Sequence, residues 1–161
     1  MFINSTLCYL IKGDEYLMLH RTKKEKDLNK DKWIGVGGKL EEKESPEDCV
    51  KREVYEETGY ALISYSFRGL VTFVYKDITE FMYLYTSDDY SGEQRECSEG
   101  ELAWVKRGDV YNLPIWEGDK LFFKLLEEAA GFFSLKLVYD DEGGLLYAEK
   151  NGEAFEWRDS I

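Results

Sequence analysis

The sequence predicts a single domain of the α+β class that spans residues 1–161. A chain of 161 residues is long enough to bury one sizeable core. Runs rich in Val, Leu, Tyr and Phe are broken by turn residues and predict many strands, and two further segments carry helix signals. No internal repeat or linker divides the chain, so we expect the helices and strands to share one domain.

The strands are expected to pair mainly as hairpins. Residues 3–11 and 16–20 flank a turn at Lys12-Gly13-Asp14-Glu15, and the extended segment 33–36 leads into a Gly-Gly turn. The later strands are expected at residues 65–75 with 80–86, at 101–106, and at 132–139 with 145–149. The last dozen residues carry no assignment.

Two helices are predicted, one of them with clear end signals. Ser45 is a natural N-cap for a helix over residues 46–58, because Pro46 suits the first turn and Asp48 completes a Ser-x-x-Asp variant of the capping box. Gly59 is expected to end this helix as a left-handed cap. The second helix is predicted over residues 116–130, with a buried side formed by Leu121, Phe122, Leu125, Leu126 and Ala129.

Composition and charge exclude several classes of function. The formal net charge is −12, with 33 acidic and 21 basic residues, which disfavours binding to a nucleic acid polymer. Three scattered cysteines are too few for a disulfide framework or a zinc site, so we expect a reducing compartment. No apolar run approaches the roughly 18 residues of a membrane span, and the N-terminus lacks the basic start of a signal peptide. We expect a cytoplasmic monomer without membrane contact.

Three glutamates of the first predicted helix are the main functional signal. Glu53, Glu56 and Glu57 stand at i, i+3 and i+4, which places their Cβ atoms on one face within about 6 Å of one another. Like charges at this separation repel each other unless a cation lies among them. A solvated acidic face is the alternative interpretation. A site for a hard divalent cation with oxygen ligands is the prediction that we favour.

These glutamates belong to a longer spaced pattern of glycines, glutamates and one arginine. The pattern consists of Gly38, five residues, Glu44, seven residues, Arg52-Glu53, the apolar Val54, one residue, Glu56-Glu57, one residue, Gly59 and the apolar Tyr60. It matches the Nudix box at every defined position, and the chain therefore resembles a Nudix hydrolase. The resemblance implies the Nudix fold, a mixed β-sheet sandwiched between α-helices (α/β/α), in which the box forms a loop, a helix and a loop.

Further segments resemble the oxidised-purine nucleoside triphosphatases of the MutT type. They are Lys32-Trp33-x-Gly35-x-Gly37-Gly38-Lys39, Glu99 ahead of Trp104, Leu113-Pro114-x-Trp116 leading to Asp119, and Gly131-Phe132-Phe133-x-Leu135-Lys136. Two positions depart from the animal enzymes of this subfamily. Ile34 stands where they have an asparagine that reads the base, and Gly118-Asp119 stands where they have paired aspartates. The identity of the base therefore stays open.

The resemblance implies hydrolysis of a nucleoside diphosphate linked to another group, by in-line attack of water on phosphorus. A triphosphate such as 8-oxo-dGTP would yield the monophosphate and pyrophosphate, which is a nucleotide-pool sanitation activity that serves DNA repair. Such a reaction needs positioning and charge neutralisation, which Mg²⁺ supplies, with Mn²⁺ as a possible substitute. Two alternatives remain: another nucleotide substrate such as ADP-ribose or a dinucleoside polyphosphate, or a domain that binds a nucleotide without cleaving it.

The resemblance also assigns roles to individual residues. The expected metal ligands are Glu53, Glu56 and Glu57 of the helix, Gly37 and Gly38 of the preceding loop through backbone carbonyl groups, and Glu99 of a separate loop. Glu53 is our first choice for the group that accepts a proton from the attacking water. Arg52 is expected to orient a ligating carboxylate, with an ordinary surface ion pair as the alternative. Glu44 is expected to brace the loop.

Substrate contacts are expected from basic and aromatic side chains. Residues 21–32 carry six bases and three acids, and we expect phosphates to be steered by one or two of Arg21, Lys23 and Lys39. Trp116 is expected either to stack on a purine or to pack in the core, and Asp119 to hydrogen-bond to the base. The remaining expectations are that Phe73 and Tyr83 form pocket walls, that His20 is structural, and that Cys49 lies in the core.

Overall fold

The computed structural model describes all residues from Met1 to Ile161, which form nine strands and two α-helices. The strands are Phe2–Lys12 (β1), Glu15–Arg21 (β2), Trp33–Ile34 (β3), Tyr60–Tyr75 (β4), Ile78–Gly92 (β5), Gly100–Lys106 (β6), Phe133–Tyr139 (β7), Leu145–Lys150 (β8) and Glu153–Ala154 (β9). The helices are Pro46–Thr58 (α1) and Asp119–Glu127 (α2), and 3₁₀ turns occur at Val110–Asn112 and Trp157–Ser160. No helix is long and apolar enough to cross a membrane.

The sheet is mixed, with strand order β3-β2-β1-β5-β4-β7-β8-β9 and with β6 paired to β2. The first hairpin is short, because β1 and β2 pair only at Ile11 with Tyr16 and at Lys12 with Glu15. The rest of β1, from Phe2 to Leu10, runs parallel to β5 instead. A second parallel pair joins β4 to β7. The expected mixed sheet is confirmed, although hairpins alone do not build it.

The sheet lies between the two helices and carries a core on each face. Along β1, Leu7 and Tyr9 belong to the core that includes the apolar side of α2. The intervening Cys8 and Leu10 belong to a second core with α1. Successive side chains of a strand point to opposite faces, so β1 serves both cores at once. This arrangement confirms the expected α/β/α sandwich.

Helix α1 begins and ends where its sequence signals predict. The Ser45 hydroxyl accepts a hydrogen bond from the Asp48 N–H at 3.0 Å, and the Asp48 carboxylate accepts one from the Ser45 N–H at 3.0 Å. These bonds satisfy two backbone donors at the helix start. Gly59 ends the helix with a left-handed φ of 86°.

Helix α2 is shorter than the predicted range 116–130. Trp116 precedes the helix and packs edge-on against Phe73 and Tyr139, with ring centroids 5.0 Å apart in both pairs. Ala129 was predicted on the buried side, but this is wrong: it is exposed, beyond the helix end, with a left-handed φ of 50°. Phe123 is buried instead.

Strand lengths also differ from the predictions in places. Strands β4 and β5 extend well past 65–75 and 80–86, because irregular pairing between Leu62 and Gly69 lets the hairpin continue as a bulged ribbon. Only Trp33 and Ile34 of the segment 33–36 form a strand, and Val36 makes an isolated bridge to Cys8. The unassigned C-terminal residues include the buried Trp157.

Candidate active site

A cavity of about 730 Å³ lies beside the glycine loop that precedes α1. Glu53 and Glu57 of α1 line it together with Gly37 and Gly38. Its other walls include residues of β1, β4 and β5, residues 21–29, Trp116 before α2 and Asp119 at the start of that helix. Acidic side chains of the Nudix box pattern and aromatic side chains of the apolar core therefore border one continuous space.

Glu57 is the most deeply buried acid of α1, with 7% of its surface exposed. Its carboxylate accepts a hydrogen bond from the Gly37 N–H at 2.9 Å. Burial raises the pKa of Glu57 to about 8, and the nearby charges of Glu53 and Glu99 add to the effect. A carboxyl group in this environment gains from a neighbouring cation that favours its ionised form.

Arg52 holds Glu53 in place from behind the cavity. Its Nη1 donates to Glu53 at 2.7 Å and to Glu56 at 3.2 Å. Its Nε and Nη2 donate to the two carboxylate oxygens of Glu44, at 2.7 and 2.9 Å. The guanidinium lowers the pKa of Glu44 to about 2, and Glu44 also accepts the Glu41 N–H at 2.8 Å. Arg52 thus links Glu44 of the loop to Glu53 and Glu56 of the helix, which is the placement that an orienting role would require.

Glu99 reaches the cavity from the loop before β6. Its carboxylate bonds to Arg21 Nη1 at 2.6 Å and to Lys24 Nζ at 2.8 Å. Arg21 Nε in turn donates to Asp27 at 2.7 Å. Arg21 therefore lines the cavity but is already engaged by two carboxylates, so the predicted contact with phosphate would have to be shared with them.

The predicted site residues divide into those that the fold brings together and those that it does not. The cavity is lined by Gly37, Gly38, Lys39, Glu53, Glu57, Glu99, Arg21, Trp116, Asp119 and Phe73. Glu56 is exposed and lies outside the lining. Lys23 donates to the Cys97 carbonyl at 2.8 Å and borders a separate pocket, so its place beside Arg21 in this site was predicted wrongly.

Tyr83 is also placed away from the cavity. It follows Met82 along β5, so it points to the opposite face of the sheet, where its hydroxyl donates to Asn4 Oδ1 at 3.3 Å. The prediction of Tyr83 as a pocket wall is wrong for this reason. His20 stacks on Trp33 with ring centroids 4.5 Å apart, in agreement with a structural role, and Cys49 is buried.

The donor set of the site suits a hard divalent cation. No three carboxylate, imidazole or thiol side chains are already close enough to hold a metal ion, because Glu57 is turned to Gly37 and the other two glutamates to Arg52. The Gly38 carbonyl is used by the Thr6 N–H at 2.9 Å, whereas the Gly37 carbonyl accepts no hydrogen bond. Glu53, Glu57, Glu99 and the Gly37 carbonyl therefore offer the oxygen ligands that such cations prefer. A bound cation would neutralise phosphate charge there.

The aromatic part of the cavity combines packing with polar contacts. Trp116 is 6% exposed and belongs to the core, yet it lines the cavity. Its Nε1 donates to Asn29 Oδ1 at 2.7 Å, and Lys32 Nζ lies 4.6 Å from the centre of its ring. Asp119 is 5% exposed and its side chain forms no hydrogen bond within the chain. Its free oxygen atoms are available to a ligand.

Burial of Asp119 has a measurable consequence for stability. Burial raises the pKa of the Asp119 carboxyl group from 3.8 to about 8, and the positive charge of Lys32 opposes this shift. Between these values the native state holds a proton that the unfolded chain releases, so stability falls as pH rises. We expect wild type to lose stability relative to Asp119→Asn from about pH 4 to about pH 8, by up to about 1.4 kcal/mol per pH unit.

Urea unfolding of both proteins across this pH range measures the difference. The exposed Asp141→Asn variant is the control, and its unfolding free energy should follow that of wild type at every pH. Parallel curves for wild type and Asp119→Asn would contradict the assignment of a buried neutral carboxyl group.

Sequence reasoning missed several residues that line the cavity. They are Ser5, Leu28, Asn29, Lys24 and Lys26, together with Ile78, Glu80 and Met82 of β5. The alternation Ile78-x-Glu80-x-Met82 is a signal that could have placed these three on one face of a strand. Nothing in the sequence alone shows that this face meets the glycine loop.

Comparisons with known proteins agree with this fold. Residues 1–126 match the NUDIX domain family. The chain is 33% identical over 147 residues to the uncharacterized Nudix hydrolase YvcI of Bacillus subtilis (strain 168), covering 88% of this chain and 89% of that protein. It is 26% identical over 134 residues to the oxidized purine nucleoside triphosphate hydrolase of Mus musculus, covering 82% and 86%.

A solved structure supports the same conclusion. The MutT protein of Bacillus halodurans superposes with a TM-score of 0.82 and 25% identity, covering 94% of this chain and 99% of that one. The fold and the carboxylate-lined cavity thus define a hydrolase with a mixed sheet between two helices. The chain belongs to the Nudix family, and it is similar to MutT-type members of that family. Nudix hydrolases act on small nucleotide substrates and generally use divalent metal ions.

Proposed function

We propose that this protein hydrolyses nucleoside triphosphates with an oxidised purine base, such as 8-oxo-dGTP, to the monophosphate and pyrophosphate. The cation would be Mg²⁺, with Mn²⁺ as a substitute. The observation that carries the proposal is the single cavity that joins the box carboxylates to Trp116 and Asp119. The chain would act as a cytoplasmic monomer in sanitation of the nucleotide pool. Its three cysteines are all free, which is compatible with a reducing compartment.

The carboxylates would position the cation and the attacking water. Glu53 is the proposed proton acceptor, because Arg52 donates to one of its oxygen atoms at 2.7 Å and burial raises its pKa above the ordinary value, which strengthens it as a base. Glu57, held by the Gly37 N–H, would bind the cation with Glu99. Glu56 is exposed and would join only after its side chain leaves Arg52.

The glycines make room for the phosphates beside these acids. A Cβ atom at Gly38 would lie 2.5 Å from the carboxylate carbon of Glu53, so any larger residue would displace that side chain. Lys39 is exposed at the cavity margin and Lys24 lies beside Glu99. Both are placed to approach a polyphosphate, which carries the negative charge that they complement.

The aromatic part of the cavity would hold the base. Trp116, fixed by Phe73 and Asn29, offers part of its surface for stacking. Asp119 has a pKa of about 8 and would be largely protonated at neutral pH, so it can donate a hydrogen bond to a keto oxygen as well as accept one. Ile34, in place of the asparagine of the animal enzymes, adds no polar group to this wall.

A pyrophosphate-release assay with Mg²⁺ tests the proposal across ordinary and oxidised nucleotides. We expect kcat/KM for 8-oxo-dGTP to exceed that for dGTP by at least about tenfold, because an added polar group that finds a partner is worth roughly 1–3 kcal/mol. Equal turnover of the two nucleotides would contradict a sanitation role. Preference for ADP-ribose or a dinucleoside polyphosphate would identify that nucleotide as the substrate instead. Binding without turnover would indicate a domain that senses a nucleotide.

A further inference from the structure

One polar pair in the cavity has no part in the proposed chemistry. The Ser5 hydroxyl of β1 donates a hydrogen bond to Glu80 Oε2 of β5 at 2.6 Å. Ser5 is 5% exposed and Glu80 is partly buried, and both line the same cavity as the box carboxylates. The pair is far from them in sequence, and neither side chain forms a hydrogen bond with Arg52 or Arg21.

The strand register explains why this pair faces the cavity. β1 and β5 run parallel, with Ile3 opposite Glu80 and Ser5 opposite Met82. Alternate residues of each strand share a face, so these four side chains form a floor together with Ile78. All of them line the cavity. Glu80 and Ser5 are the polar members of a floor that is otherwise apolar.

The pair has hydrogen-bonding capacity that the chain leaves unused. A carboxylate offers about four acceptor sites, and the Ser5 hydroxyl is the only side chain that bonds to Glu80. An acid placed among apolar side chains costs stability unless it is well satisfied. A methionine or isoleucine would serve packing better at this position. The hydroxyl fixes one oxygen, so the other has a defined direction.

We propose that Glu80, oriented by Ser5, is a specificity-determining residue that accepts a hydrogen bond from an amino group of the substrate base. This inference rests on the proposed function, because it places a purine in the cavity. Asp119, which lines another part of the same cavity, would contact a different edge of the base. A site built to bind an N–H group rejects an analogue that lacks it, since the buried acceptor is then left unpaired.

Two pairs of nucleotides that differ by one amino group test this role. The pairs are dGTP with dITP, and dATP with the triphosphate of purine deoxyriboside. We expect wild type to prefer the amino member of at least one pair, and Glu80→Met to reduce that ratio of kcat/KM values by at least about tenfold. Ser5→Ala should reduce the same ratio by a smaller factor, because Glu80 is then present but less well oriented.

Glu149→Gln is the matched control. Glu149 lies on β8 of the same sheet and also accepts a hydroxyl hydrogen bond, from Tyr147 at 2.7 Å, but it does not line the cavity. The ratios of kcat/KM for the two nucleotide pairs should be the same in Glu149→Gln as in wild type. Ratios within about twofold of wild type for both pairs in Glu80→Met would overturn the inference, provided that thermal unfolding shows the variant to be folded.

A binding measurement separates this inference from the proposed function. If wild type cleaves no triphosphate, the proposed function has failed. Calorimetric Kd values for dGMP with dIMP, and for dAMP with purine deoxyriboside monophosphate, then take the place of kcat/KM. A wild-type preference that Glu80→Met abolishes would support the role of Glu80 without catalysis. Equal ratios in both proteins, or no nucleotide binding at all, would overturn it.

Discussion

Replacing Glu57 by glutamine is expected to lower kcat by about 100- to 10,000-fold while the fold stays intact. Glutamine keeps the size of the side chain and an oxygen that can accept the Gly37 N–H, which now lies 2.9 Å from the carboxylate. It removes the negative charge that a cation requires. A bound cation would favour the ionised form of the buried Glu57 side chain, and glutamine cannot ionise. Pyrophosphate release under saturating substrate and Mg²⁺ measures the effect.

Glu47→Gln on the same helix is the control. Glu47 accepts a hydrogen bond from the Tyr85 hydroxyl and does not line the cavity, and a glutamine oxygen can accept this bond as well. Its kcat should stay close to wild type. Wild-type turnover in Glu57→Gln, with an unchanged circular dichroism spectrum, would contradict the assignment of Glu57 to the metal site.

Replacing Gly37 by alanine is expected to destabilise the protein by about 3 kcal/mol or more. Gly37 has φ of 155°, and a Cβ atom there would lie 1.9 Å from the Thr6 carbonyl oxygen. The clash involves backbone, so no side chain can rotate to relieve it. The loop would have to move away from β1, which would also displace the N–H that holds Glu57.

Urea denaturation measures this loss, with Gly131→Ala as the matched glycine. A Cβ atom at Gly131 would meet nothing within 4 Å, so this second variant should unfold within about 0.5 kcal/mol of wild type. If Gly37→Ala were as stable as Gly131→Ala, the close approach of the glycine loop to β1 would not exist in solution.

Local signals allowed much of the site to be predicted from the sequence. Helix α1 depends on neighbours in the chain, because Ser45, Asp48 and Gly59 satisfy its ends directly. Glu53, Glu56 and Glu57 lie on that helix, so their shared face follows from helical geometry. The contact of Arg52 with Glu56 is of the same kind, since the two residues are four apart.

Features that depend on long-range pairing were not predictable in this way. The parallel contact of β1 with β5 joins residues more than 70 positions apart, and only that contact brings Glu80 beside Ser5. The end of α2 depends on Ala129 adopting a left-handed conformation, which its amino-acid type does not favour. The sequence alone does not show that Lys24, rather than Lys23, lies in the cavity, because this depends on which side chain the loop turns toward Glu99.

The divided pairing of β1 has a consequence for synthesis on the ribosome. Before residues 78–92 have emerged, the first strand is held by its two residue pairs with β2 and by backbone hydrogen bonds to Val36, Gly38 and Leu40. Its nine parallel partners arrive when more than half of the chain has been translated. The nascent first strand therefore lacks its parallel partner until late in translation, which sets a late point for cooperative folding.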